Sequence, residues 1–265
     1  FGGFLIRKLN KLFLPFVFWF CFSLGISFLL FSLFNLKLFP YYDLNIHSIY
    51  INTKYGTYPN SPIWFLLCLF WVNIMFYMID LFSDKLTTKY RPYAIGFLSF
   101  MMGIVGVTFS NYGIRLPFYI DSAFTAVPFF AFGYFSFRFT SLAKKSKLDK
   151  WIPLVIVLFI VILYFVAPFY SLRKNTSIGY QSFWLVYLCG FMGTLVIILL
   201  SKMIQKLPIV SLWGRYSIMI LVSHAIVYRL LSILVFNSEI IGMSTPMLFV
   251  LNLIVTMSIC TLLIP

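Results

Sequence analysis

Eight apolar runs follow one another along this chain, at roughly 13–34, 62–82, 93–111, 117–138, 151–170, 180–201, 211–235 and 246–265. A helix needs about 20 mostly apolar residues to cross the hydrocarbon of a bilayer. None of the runs alternates apolar and polar residues, as the strands of a membrane barrel do. A helix also satisfies its backbone N–H and C=O groups internally, which hydrocarbon demands. The runs therefore predict an all-α, polytopic transmembrane helix bundle of about eight helices, forming one domain over 1–265. Prolines stand near several run starts (Pro62, Pro92, Pro117, Pro153, Pro246), where a missing N–H costs nothing. Composition agrees. The chain is 62% hydrophobic and 10% charged, whereas a soluble domain carries roughly a quarter charged residues.

The net charge of +14 has to be placed before it is interpreted. Nucleic-acid binding would gather it on one face or tail. Here it sits in the short gaps between apolar runs, which excludes that class and leaves membrane lipid as the partner. The N-terminal stub (Arg7, Lys8, Lys11) and the gaps after the second, fourth and sixth runs hold 13 basic residues. The alternate gaps hold 5, namely Lys37, Lys54, Arg115, Arg173 and Lys174. The positive-inside rule then puts both ends of the chain in the cytoplasm. The longest outer gap, roughly 35–61, carries Tyr41, Tyr42, Tyr50, Tyr55 and Tyr58. These suit either the headgroup zone or the stacking of sugar rings.

Cys21, Cys68, Cys189 and Cys260 all fall inside apolar runs without metal-ligand spacing. They read as small buried hydrophobes. There is no G-x-S-x-G elbow, no P-loop and no G-x-G-x-x-G. The chain begins at Phe1 without Met and ends at Pro265 inside an apolar run, so a longer protein is expected.

Polar residues inside apolar runs are the places to look for function, because hydrocarbon penalises them. The seventh run is richest. Gly214, Ser217, Leu221, His224 and Tyr228 recur at three- and four-residue steps and share a helix face. His224 is either a proton acceptor for a hydroxyl or a structural histidine bonded to a neighbouring helix. Arg215 either snorkels to the surface or points inward towards an anion. Asn73, Tyr77 and Asp80 line the second run, with Asp80 expected at the interface. Asp121 and Thr125 open the fourth run, where Asp121 favours a helix N-terminus. Ser99, Gly103, Gly106 and Ser110 share a face of the third run, as small residues at a close helix crossing do.

Four stretches together resemble the bacterial acyltransferase-3 family of membrane O-acyltransferases. They are FLIRKLNKLFLPFVFW from Phe4, IWFLLCLF from Ile63, LPFYIDSAFTAVPFFAFG from Leu116 and WGRYSIMILVSH from Trp213. The family has about ten helices, and the eight runs match its third to tenth. Its first helix bears a histidine regarded as catalytic, and no residue here stands in for it. Where the family often has two arginines, this chain has Lys8 and Lys11. Lysine binds phosphate as a point charge, without a bidentate fork.

The resemblance implies acyl transfer, most often acetyl, from acyl-CoA (acetyl-CoA) to a hydroxyl of a cell-surface or lipid-linked glycan, at a bacterial inner membrane and without a metal. Arg7, Lys8, Lys11 and Arg215 are the candidate contacts to the polyanionic coenzyme. Tyr216, Ser217 and His224 are candidate catalytic groups, as donors to the developing oxyanion. Asp121, Trp64 and Tyr228 are candidate acceptor contacts. The rival readings are a glycan or lipid transporter without acyl transfer, a glycan polymerase, and the other membrane-bound O-acyltransferase class. Oligomeric state is left open.

Overall fold

The structure is a computed structural model that describes residues 2–35, 47, 60–142, 152–166, 172–173, 177–178, 183–204, 207–234 and 245–263. The tyrosine-bearing gap 35–61, apart from Asn35, His47, Asn60 and Ser61, and the basic stretch 144–150 lie outside the described residues. Helices account for nearly all of what is described, so the bundle is all-α.

Helix α1 (Gly2–Lys8) passes through a π-turn, Leu9–Phe13, into α2 (Leu14–Phe34). Pro15 explains the widened turn. It has no N–H for the Lys11 carbonyl, and its ring would crowd that carbonyl in a regular helix. Asn35, left-handed at φ 52°, ends α2, and its N–H donates to Phe31 O at 3.0 Å. There follow α3 (Trp64–Asp84), α4 (Arg91–Asn111), α5 (Ile120–Leu142), α6 (Ile152–Val166), α7 (Phe183–Ile204), α8 (Pro208–Arg215), α9 (Ser217–Leu234) and α10 (Thr245–Leu262). Among the described residues, five helices are long and apolar enough to cross a membrane. These are α1 with α2, then α3, α4, α5 and α7. The pair α8 and α9 makes a sixth if taken as one broken span, and two shorter apolar helices fall within α6 and α10. The described residues of the eight apolar runs are thus mostly helical.

The chain packs as two compact units, 1–8 with 68–205 and 9–67 with 206–265. In the first, Val107 of α4 and Phe183, Val186 and Tyr187 of α7 form a core closed by Phe100, Phe129 and Phe191. The small-residue face of α4 does what its spacing predicts. A Cβ on Gly106 would lie 2.6 Å from the backbone N of Thr125, and one on Gly103 would lie 2.7 Å from Pro128 Cγ. Helices α4 and α5 are therefore in near backbone contact. Tyr187 Oη donates to Thr125 O at 2.9 Å and ties α7 to the same place. A two-residue antiparallel ladder, β1 (Leu172–Arg173) with β2 (Ser177–Ile178), lies between α6 and α7 in sequence.

In the second unit α9 is central. Its Ile226, Leu230 and Ile233 pack on Trp19, Ile26 and Leu30 of α2, and α10 runs beside it. Large apolar side chains stay exposed on many helices, among them Phe18, Phe28, Leu33, Phe97, Ile197 and Phe249. A soluble chain with such patches would aggregate. In lipid they are the solvated surface.

Two expectations change. The seventh apolar run is not one helix: α8 and α9 meet at an 86° bend. Gly214 therefore leaves the face shared by Ser217, Leu221, His224 and Tyr228. Cys21 is exposed, while Cys68, Cys189 and Cys260 are buried. Its position on the outward side of α2 outweighs the general tendency of cysteine to be buried.

Candidate functional site

The polar side chains gather in one cluster at each end of the first unit and one network in the second. At the α3–α4 turn, Arg91 Nη2 lies 2.8 Å from Asp80 Oδ1 and 3.0 Å from Asp84 Oδ1. All three are partly exposed, and Asp80 has a partner that its spacing in the sequence did not show. At the opposite end of α4, Arg115 Nη1 donates to Asp121 Oδ2 at 3.1 Å. Here the Asp121 side chain is only 9% exposed and Arg115 27%. Between the two, Phe118 (φ 58°) and Tyr119 (φ 59°) are consecutive left-handed residues. Residues other than glycine adopt that region at a cost of roughly 1–2 kcal/mol each. Tyr119 is buried, and the ion pair closes the turn that carries it. Asp121 is thus a paired, buried carboxylate at the start of α5, and Arg115 is the partner that sequence reasoning had counted only as a loop charge.

The other sequence candidates of this unit are Arg7 and Lys8. Arg7 is exposed. Lys8 Nζ stands 5.5 Å from the ring centroid of Phe4, which itself stacks on Tyr77 at 4.3 Å. The aromatic pair gives the ammonium a face to rest on.

In the second unit, two bonds from outside reach the backbone of α9, and one side-chain contact adds to them. Asn60, fully buried, donates from Nδ2 to Val222 O at 2.7 Å. Ser223 Oγ donates to Met219 O at 2.7 Å and lies 3.5 Å from Cys260 Sγ of α10. Asn252 of α10 donates to Tyr228 O at 3.3 Å and accepts from Thr256 Oγ1 at 3.3 Å. Lower on the pair, Trp213 Nε1 of α8 donates to Thr261 Oγ1 at 2.8 Å. In a non-aqueous interior each such bond replaces one that water would have made. The carbonyl oxygen of Asn60 remains unpaired among the described residues.

His224 Nδ1 lies 2.9 Å from Ile220 O on its own helix, not on a neighbour. Tyr216 occupies the bend, its N–H donating to Leu212 O at 3.0 Å and its carbonyl accepting from Ile220 N at 3.2 Å. Arg215 ends α8 and Ser217 begins α9, both exposed. Tyr228 is half-buried against Phe249 at 6.2 Å. Trp64 opens α3, edge-on to Phe65. Lys11 is exposed within the π-turn. The structure therefore brings Tyr216, Ser217, His224 and Tyr228 onto or beside one helix, and sets Arg215 across the bend from them.

Sequence reasoning missed Asn60, Ser223, Asn252 and Thr256. A signal existed for the last two. Asn252, Thr256 and Cys260 recur every four residues in an otherwise apolar run. Asn60 gave none, since its burial depends on a long-range contact. Among the described residues, no group of three His, Cys, Asp or Glu side chains is placed to hold a metal ion.

A membrane-spanning helix bundle with paired charges at the helix ends and a polar network on one broken helix suits chemistry on a substrate drawn from the membrane or its surfaces. The family description of an acyltransferase domain, Acyl_transf_3, matches residues 1–264. The chain belongs to that acyltransferase-3 family and is a membrane acyltransferase. No curated protein and no solved structure matches it.

Proposed function

We propose that this chain is a membrane-bound O-acyltransferase that moves an acyl group, acetyl foremost, from acyl-CoA to a hydroxyl of a cell-surface or lipid-linked glycan. The observation that carries the reading is the acyltransferase family match over 1–264 on a bundle with this helical content. The positive-side bias of the loops supports a bacterial inner-membrane protein with both ends of the chain in the cytoplasm. Acyl-CoA is polyanionic and cytoplasmic, so Arg7, Lys8, Lys11 and Arg215, which the positive-inside rule assigns to the cytoplasmic side, are its proposed contacts. In the reaction, the acceptor oxygen attacks the thioester carbonyl. A C–O bond forms, the C–S bond breaks, and the hydroxyl proton ends on the coenzyme thiol. The hydroxyl needs a base, and the oxyanion needs a donor.

Membranes containing the protein, incubated with radiolabelled acetyl-CoA, are expected to accumulate label in glycan. Lys8→Ala with Lys11→Ala is expected to raise the KM for acetyl-CoA roughly tenfold, since two phosphate-pairing charges are lost. Unchanged KM would remove both lysines from the coenzyme site. The broken pair α8–α9 is a feature that transporters also use near the bilayer midplane. Movement of a glycan across the membrane with no acylation would favour that second reading.

A further inference from the structure

The bond between His224 and Ile220 carries more chemistry than its local character suggests. A carbonyl oxygen accepts hydrogen bonds and cannot donate them, so at 2.9 Å the Nδ1 atom must hold the proton. In the neutral ring the other nitrogen, Nε2, then carries a bare lone pair. The helix turn that bears the ring is fixed from outside. Asn60 binds the carbonyl two residues before it, Ser223 stands against Cys260, and Asn252 binds the carbonyl four residues after it. Helical geometry puts His224 with Ser217 and Tyr228, away from Ile226, Leu230 and Ile233, which pack on α2. The ring is half-buried, and among the described residues Ile220 is its one hydrogen-bond partner.

We infer that His224 presents Nε2 as a preformed hydrogen-bond acceptor, and that the group it takes is the hydroxyl of the acyl acceptor. The inference rests on the acyltransferase reading above. The chemistry of the reactants selects the hydroxyl. The thioester end of the donor offers a carbonyl oxygen and a sulfur, both acceptors, which a lone pair repels. Of the reacting groups, the acceptor hydroxyl alone donates a hydrogen bond. The same tautomer removes neutral His224 as an oxyanion donor and leaves that role to Tyr216 or Ser217. Orientation of the hydroxyl by a fixed acceptor turns a mobile nucleophile into an aligned one.

Two substitutions separate the ring nitrogens. The amide of His224→Asn reaches only the Nδ1 position and keeps a donor for Ile220. The longer His224→Gln reaches the Nε2 position and offers its amide oxygen there. With radiolabelled acetyl-CoA and the glycan of the same membranes, His224→Asn is expected to accumulate to normal levels and lose roughly tenfold or more of transfer. His224→Gln is expected to retain most of it. Normal transfer by His224→Asn, or equal loss in both variants, overturns the inference. Nitrogen NMR of histidine-labelled protein in nanodiscs, with His224→Asn identifying the signal, tests the tautomer without any activity. A proton on Nδ1 is expected, and a proton on Nε2 of the neutral ring overturns the inference. A wild-type protein that acylates nothing would instead contradict the acyltransferase reading.

Discussion

Gly106 and Gly133 show how far one methyl group matters in this bundle. At Gly106 a Cβ would meet the Thr125 backbone at 2.6 Å, while at Gly133 nothing lies within 4 Å. Gly106→Leu is expected to lower stability by several kcal/mol, above the ~1–3 kcal/mol usual for overpacking, because backbone cannot swing aside. Gly133→Ala is expected to be neutral or slightly stabilising. Thermal unfolding in detergent compares the two. The ion pairs divide similarly. Asp84 is half-exposed, so Asp84→Asn should cost about 0–1 kcal/mol. Asp121→Asn leaves the Arg115 guanidinium without its counter-charge in a largely buried site. Fully buried pairs lose about 3–5 kcal/mol when one partner goes, and the partial exposure of Arg115 brings this case below that. Restoration of stability by Arg115→Leu together with Asp121→Leu would show that the loss comes from the orphaned charge.

Helices were legible from the sequence and breaks were not. A run of 21 residues such as α4 rises about 31 Å, close to the roughly 30 Å of hydrocarbon, and nothing else that long and apolar is stable there. The small-residue face of α4 was equally readable, because only a close helix crossing rewards it. The bend at Tyr216 was hidden because Pro208 and Gly214 both precede it without marking it, and the hydrophobic pattern runs straight through. Asn60 was hidden for a related reason: its importance comes from a partner 162 residues away. The candidate site was therefore half visible. The face of Ser217, His224 and Tyr228 could be read by counting, whereas the bonds that hold it depend on packing. The left-handed pair at Phe118 and Tyr119 was invisible too, since neither residue prefers that conformation. Phe118 is 45% exposed and loses little packing if replaced. Phe118→Gly is therefore expected to keep or raise the unfolding temperature, while the same change at buried Phe76 should lower it sharply. A fall of similar size at both positions would show that the turn is not strained.

For the whole molecule, lipid acts as solvent. Exposed phenylalanines and leucines on so many helices are reasonable only against acyl chains. The proposed function adds direction to this picture, since a cytoplasmic donor and an outer acceptor need a bundle with two distinct faces. That direction depends on which side holds the basic loops, and α4 offers the shortest test. Lys89 precedes it and Tyr112 follows it, both exposed. Single cysteines at these positions, in a background without the exposed Cys21, can be challenged with a maleimide that does not cross membranes. Tyr112→Cys is expected to react in intact cells, and Lys89→Cys only after the membrane is opened. Reaction of Lys89→Cys in intact cells, with Tyr112→Cys protected, would invert the bundle and place the cations proposed to meet the coenzyme on the side that has no coenzyme.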